Sequence, residues 1–260
     1  MTESLTVERD GPVLTVTLAR GKANAIDAAT SREMSRVFEE FRDDDALRAA
    51  ILTGAGDRFF SAGWDLTAAA EGEAYESDYG AGGFGGFGEL PGLTKPVILA
   101  VNGMAAGGGF EMVLAADLVV AAEHAQFLLP EVAHGIIPDV GSVRLPKLLP
   151  RALSTEVLLC GRRLSAQEAL HHGIVNRVVP ADRVMPEAGE LALAIAAAAP
   201  LAVAAVLDVL RLTDGLSAEA GLALLRSGGV ETYERMLASD DAQEGPRAFA
   251  EKRPPTWSGR

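Results

Sequence analysis

This chain is poor in cysteine, in aromatic residues and in positive charge. Cys160 is the only cysteine among 260 residues, so no disulfide can form within the chain, and a reducing cytoplasm is the expected compartment. Only 5% of the residues are aromatic. Lysine and arginine total 23 against 36 aspartates and glutamates, giving a net charge of −13. That balance speaks against non-specific binding to nucleic acid or to an anionic membrane. The four histidines, at 124, 134, 171 and 172, fall at no metal-ligand spacing, and no metal is expected. The first eight residues contain no apolar signal core. One uncharged stretch, Leu191 to Leu207, is alanine-rich and split by Pro200. It predicts two helices that meet at the proline and pack inside, rather than a membrane crossing.

What is present is an alternation of strand and helix signals. Residues 12–19 alternate, with Leu14, Val16 and Leu18 on one face. Asp27 can cap a helix whose Met34, Val37, Phe38 and Phe41 fall at helical spacing. Ala49–Thr53 and Val97–Val101 read as buried strands, Leu118–Ala121 and Gln126–Leu129 as two more, and Ile174–Val179 as the last. Ser165 and Glu168 form a capping box, and Gly173 stops that helix. From residue 183 onward the pattern is helical, broken at Pro200, Gly215 and Gly228-Gly229. The reading is an α/β body over residues 1–182 and a helical region over 183–260. Cys160 reads as a buried helix residue.

Two glutamates stand out, each in a distinctive frame: Gly107-Gly108-Gly109-Phe110-Glu111 and Leu128-Leu129-Pro130-Glu131. Two carboxylates can share general acid and base work on one substrate. The glycine run lies between a strand and a helix, where backbone N–H groups are unpaired and a ligand can come close. A second small-residue turn, Ser61-Ala62-Gly63-Trp64-Asp65, follows another strand. Two such turns can offer N–H groups to a developing oxyanion. Gly83 to Gly88 matches a dinucleotide fingerprint in letters only, because a loop precedes it and no helix pattern follows. Residues 71–88 have no periodicity and read as a mobile loop over something.

In this order these motifs resemble the enoyl-CoA hydratase/isomerase (crotonase) superfamily over nearly the whole chain. The resemblance runs through Lys22-Ala23-Asn24-Ala25, Phe60 to Leu66, Lys95-Pro96-Val97, Asn102-Gly103, Gly107 to Glu111, Ala116-Asp117, Pro130-Glu131 and Phe249 to Arg253. Within the superfamily, Ala23 to Ala28, Ser61 to Leu66, Ala68 to Ala74 and Ile137-Pro138-Asp139 are most similar to its carnitinyl-CoA dehydratase branch. The resemblance implies a spiral of ββα units with a C-terminal helical oligomerisation region, assembled as a homotrimer or homohexamer. It implies reversible hydration of a 2-enoyl-CoA, with CoA arriving as part of the substrate and no cofactor. The alternatives are a general short-chain enoyl-CoA hydratase and a non-catalytic CoA-binding member of the fold.

The resemblance also implies residue roles. Glu111 and Glu131 match the hydratase carboxylates, and the backbone N–H groups of Trp64 and Gly108 match the oxyanion-hole donors. Lys22, Ala23, Ala25, Ala62, Asp65 and Leu66 match CoA-contacting positions. Phe249 and Lys252 match a tail that reaches a neighbouring subunit's CoA. For a cationic acyl group the sequence offers Trp64, Tyr75, Tyr79, Phe84 and Phe87, interleaved with Asp65, Glu71, Glu73, Glu76 and Asp78. The same rings could instead simply pin a lid to the body. One departure stands out: Pro138 to Leu145 is a residue shorter than the family pattern, with Gly141-Ser142 where a glycine pair is usual. A local difference in backbone beside the second carboxylate is expected there.

Overall fold

The structure, a computed structural model, describes residues 4–260. Of the segment read as lacking a signal core, Met1, Thr2 and Glu3 lie outside the described residues.

A hairpin of β1 (Leu5–Asp10) and β2 (Val13–Leu18) edges a six-stranded sheet. The sheet continues through β3 (Ala49–Gly54), then β5 (Val97–Val101), β7 (Leu118–Ala122) and β10 (Arg177–Val179), all parallel to β2. A second sheet holds β4 (Phe59–Ser61), β6 (Met104–Ala106) and β8 (Gln126–Leu128) in parallel, with β9 (Leu164–Ser165) antiparallel at its edge. Every residue of β3 and β5 is buried. This is why they read as continuous apolar runs: a parallel strand covered on both faces has no polar side to show.

The helix α1 (Ala28–Asp43) precedes β3, and from there the chain visits the large sheet, the small sheet and a helix three times. The first turn is β3, β4 and α2 (Leu66–Ala70); the second is β5, β6 and α3 (Gly108–Ala115). The third is β7, β8, a 3₁₀ turn over Glu131–His134, and α4 (Asp139–Leu148). That repeat is the expected spiral of ββα units. It delivers the C-terminal ends of β4, β6 and β8 to one place.

The caps form as the sequence predicts. Asp27 accepts from the Thr30 N–H at 2.8 Å, and α1 buries Met34, Phe38 and Phe41. Ser165 and Glu168 close the capping box of α6 (Ala166–His171), which follows α5 (Arg151–Cys160). The segment expected as a mobile loop is clamped along its second half by two serines of α1. Ser35 Oγ accepts from Gly82 N–H at 3.0 Å, and Ser31 Oγ accepts from Gly85 N–H at 2.9 Å. No helix follows Gly83–Gly88, so the fingerprint lacks its phosphate-binding element.

The tail comprises α7 (Val184–Ala196), α8 (Pro200–Leu212), α9 (Ala218–Arg226), α10 (Glu231–Leu237) and α11 (Asp240–Glu251). Pro200 is the first residue of α8, and the bend between the preceding helical segment and α8 is 108°. No single helix among the described residues is long and apolar enough to cross a membrane; the bent pair passes only by length and composition. α7 packs on β3, β5 and β7. α8 departs from the expectation that both helices pack inside: it buries only Ala205 and Leu207, leaving Val206, Leu210 and Leu212 exposed. Cys160 also departs from expectation. It is exposed, as the last residue of α5 before the chain turns at Gly161, one turn beyond the buried Val157.

Candidate active site

The site is built where β4 and β6 end. These strands are neighbours and parallel, so the turns after them emerge together. Their contact admits no side chain: a Cβ on Gly63 would lie 2.6 Å from Gly108 N, and one on Gly109 would lie 2.3 Å from Ser61 O. Gly107 sits at φ 56°, ψ −130°, a conformation that essentially only glycine adopts. Among the described residues, neither the Trp64 N–H nor the Gly108 N–H donates to a protein acceptor. Gly108 opens α3, where the first N–H groups have no partner in the helix and carry its positive pole.

A third segment is tied to these turns. Asn24, fully buried, donates from Nδ2 to Ala55 O at 3.0 Å and Phe59 O at 3.1 Å. Ser61 Oγ donates to Asn24 O at 2.8 Å. Ala62 N–H donates to Ala23 O, and Ile26 N–H to Gly63 O. Residues 23–26 and 62–65 therefore run side by side. Arg20 locks the pair by donating to Asp27, Asp65 and the Ala25 carbonyl. Burial opposes the ionisation of Asp27 and Asp65, but bonds from Thr30 for Asp27, bonds from Arg20 and Thr67 for Asp65, and the Arg20 charge outweigh it, holding both below the usual carboxylate range. Groups whose folded pKa is depressed add stability above their unfolded pKa and lose it as pH falls through the folded one. Arg20→Gln is therefore expected to cost about 2 kcal/mol or more near neutrality. The gap to wild type should close once both aspartates protonate, which thermal melts at neutral and strongly acidic pH would read.

The two glutamates face one cavity of about 480 Å³, which is also lined by Ala62, Trp64, Leu66, Gly107 and Gly108. Glu111, 8% exposed, lies one turn into α3 and accepts from Gly141 N–H at 2.8 Å. Gly141 belongs to the shortened stretch, which thus supplies a backbone donor to the first glutamate. Glu131, 7% exposed, begins the 3₁₀ turn against the Gly107 backbone, and its Oε2 is buried without a partner. Loss of water raises both above the ordinary carboxylate range, Glu111 to about 8 and Glu131 to about 7, and the nearby charge of Asp139 adds to each. Such values suit groups that hold and release protons near neutrality.

Of the five aromatic residues named from the sequence, Trp64, Tyr75, Tyr79 and Phe84 line the cavity wall. Trp64 meets Tyr75 edge-on at 5.4 Å, and Tyr79 meets Phe84 in the same way at 5.4 Å. Tyr79 Oη donates to Tyr75 O and Tyr75 Oη to Ile137 O. Burial pushes the Tyr75 phenol up and that of Tyr79 to about 12, so both remain neutral donors. The Trp64 indole donates to Glu73, which also accepts from Ala28 N–H at the start of α1. Phe87 does not join the wall. It is 5% exposed and packs on Phe38 in the core, because the clamped glycines turn it inward.

Of the positions matched to CoA contacts, Ala62 and Leu66 line the cavity, while Lys22, Ala23 and Ala25 lie on the adjoining loop. The Asp65 carboxylate is occupied in capping α2 and pairing with Arg20. Phe249 and Lys252 lie at the end of α11, outside the cavity, with the Phe249 ring 88% exposed. Among the described residues no cluster of three or more His, Cys, Asp or Glu side chains is placed to hold a metal ion. Sequence reasoning missed Arg20, the Gly141 donor and Asp139. Asp139 and Gly141 lay in stretches that carried a signal, Ile137-Pro138-Asp139 and the shortened Pro138 to Leu145, whereas Arg20 lay in none.

The spiral, the paired turns and the buried glutamates describe a fold and site with known relatives. The enoyl-CoA hydratase/isomerase family model matches residues 8–260, and the chain belongs to that family. It is 59% identical to a carnitinyl-CoA dehydratase from Proteus mirabilis and 57% identical to one from Citrobacter koseri, with all of each chain covered. A crystal structure of an enoyl-CoA hydratase from Mycobacterium tuberculosis matches with a TM-score of 0.89 at 39% identity, over 99% of each chain.

Proposed function

We propose that this chain is an acyl-CoA hydro-lyase that reversibly hydrates a 2-enoyl-CoA thioester, interconverting crotonobetainyl-CoA and carnitinyl-CoA. The observation that carries the reaction class is the pair of buried glutamates in the cavity that the unpaired Trp64 and Gly108 amides border. The thioester oxygen sits between those two N–H groups. Negative charge gathers there as water adds, and each donor is worth about 3–4 kcal/mol to the transition state. One glutamate takes a proton from water as its oxygen attacks C3. The other delivers a proton to C2, and elimination runs the same steps backwards. The addition is redox-neutral and its charge is held by backbone amides, so CoA within the substrate is the only prosthetic chemistry required. Ala23, Ala25, Ala62 and Leu66 offer backbone and small side chains to the CoA, with Lys22 exposed beside them.

The acyl assignment rests on the named relatives and on the Trp64, Tyr75, Tyr79 and Phe84 wall, which suits a quaternary ammonium unable to donate hydrogen bonds. A turnover panel tests it. Crotonobetainyl-CoA is expected to exceed crotonyl-CoA and longer enoyl-CoAs in kcat/KM. Equal values would make the enzyme a general short-chain enoyl-CoA hydratase, and no turnover of any would make it a CoA-binding member of the fold.

The assembly is proposed to be a homotrimer or homohexamer. Leu193, Val206, Leu210, Leu212 and Leu222 on the tail helices, with Leu216 between α8 and α9, expose apolar side chains, and Phe249 projects from α11 where a neighbour's CoA could meet it. Light scattering at micromolar concentration should give a multiple of three subunits; a stable monomer would remove Phe249 and Lys252 from the site.

A further inference from the structure

The cavity wall carries six acids, Glu76, Asp78, Glu89, Glu111, Glu131 and Asp139, and no lysine or arginine. A cavity meant for a neutral acyl chain gains nothing from such a field, which burdens both glutamates of the reaction. Three of these acids are already occupied. Glu111 and Glu131 work on the proton, and Asp78 accepts from the Gly80 N–H at 3.0 Å. Asp139 is different. It opens α4, one oxygen accepts from its neighbour Val140 N–H at 2.8 Å, and it lines the cavity together with both glutamates, Tyr75 and Tyr79. Its charge is felt by all four of those groups. Glu131, which lines the same cavity, keeps its Oε2 buried without a protein partner, so this wall holds a carboxylate whose charge nothing in the protein answers.

The substrate's own covalent structure makes the position meaningful. In crotonobetaine one methylene separates C3 from the quaternary nitrogen. Whatever carboxylates act at C2 and C3 therefore have the cation beside them. Its methyl groups can stack on rings but cannot accept or donate a hydrogen bond, so it needs aromatic faces and a fixed negative charge nearby. Tyr75 and Tyr79 supply the faces.

We propose that Asp139 is the specificity-determining residue of the acyl pocket, holding the substrate's quaternary ammonium against Tyr75 and Tyr79 beside Glu111 and Glu131. The assignment rests on the crotonobetainyl-CoA reading above. It gives the acidic cavity a purpose, since the arriving cation relieves the crowding of like charge around the two glutamates.

The test compares crotonobetainyl-CoA with its carbon isostere, in which a quaternary carbon replaces the nitrogen. In the wild type the cationic substrate should be preferred in kcat/KM. Asp139→Asn should reduce that preference by about ten- to thirty-fold, mainly through KM of the cationic substrate, and Asp139→Glu should restore most of it. A preference within twofold of wild type in Asp139→Asn overturns the assignment while leaving the substrate reading intact. A wild type with no preference for the cation overturns the substrate reading itself, and the assignment with it.

Discussion

Replacing Glu111 or Glu131 with glutamine is expected to cut hydration by at least about 100-fold each, because a general acid or base contributes about 10²–10⁴. CoA affinity should change little, as neither group lies among the segments matched to CoA. The double variant should lose much less than the product of the single losses, since the two act on one water and one substrate. The same substitutions should raise stability. Both folded pKa values, about 8 and about 7, lie above the ordinary glutamate value of 4.5, so the fold favours the protonated forms. Stability of this kind is fully present below the unfolded pKa and is lost as pH rises through the folded one. Glutamine, always neutral, escapes that loss. Thermal melts at about pH 9 should show both variants more stable than wild type by an amount on the order of a few kcal/mol. Melts at about pH 4 should show almost no difference. A variant that kept wild-type turnover would remove its glutamate from the mechanism, and one with no alkaline gain in stability would mean that its carboxylate is solvated.

Gly108→Pro should nearly abolish turnover, with a loss of at least about 10²–10³ from the missing donor alone. Proline is tolerated at a first helical position, so α3 itself should survive. The variant needs a steric control, because a Cβ here would lie 2.3 Å from the Phe84 ring. Gly108→Ala introduces the same crowding but keeps the N–H, and Phe84 can swing its ring aside. The alanine variant should therefore be far more active than the proline one. Trp64→Phe keeps its backbone donor, losing only the indole bond to Glu73, and should stay within about tenfold of wild type by the worth of one hydrogen bond to a charged group. Equal losses in Gly108→Pro and Gly108→Ala would place the defect in packing rather than in the amide.

Much of the fold was legible because its signals are local. Asp27 lies three residues from the N–H it caps, Ser165 and Glu168 hold each other, and the covered strands β3 and β5 are apolar from end to end. The glutamates were legible for a similar reason: each stands beside residues whose shape only a turn can explain. β1 was missed because five of its six residues are exposed and its letters carry no clean alternation. The supporting cast was illegible for a different reason. Arg20 reaches Asp65 across 45 positions and Gly141 reaches Glu111 across 30. Nothing near either residue in the chain announces such a partner. Phe87 was misplaced because a glycine-rich loop has no periodicity by which to tell an inward ring from an outward one.

Arg20 has a consequence for how this site can change over generations. One guanidinium spans the aspartates that begin α1 and α2, and so joins the loop at 23–26 to the turn carrying Trp64. Lose the arginine, and two carboxylates face each other with nothing between them. Lose one aspartate, and the arginine's fork is half empty while a helix forfeits its cap. The three positions therefore form one heritable unit, to be exchanged together or kept together. Related chains in which Arg20 has become neutral should also lack Asp27 or Asp65, and a library that varies these sites singly should recover few active clones.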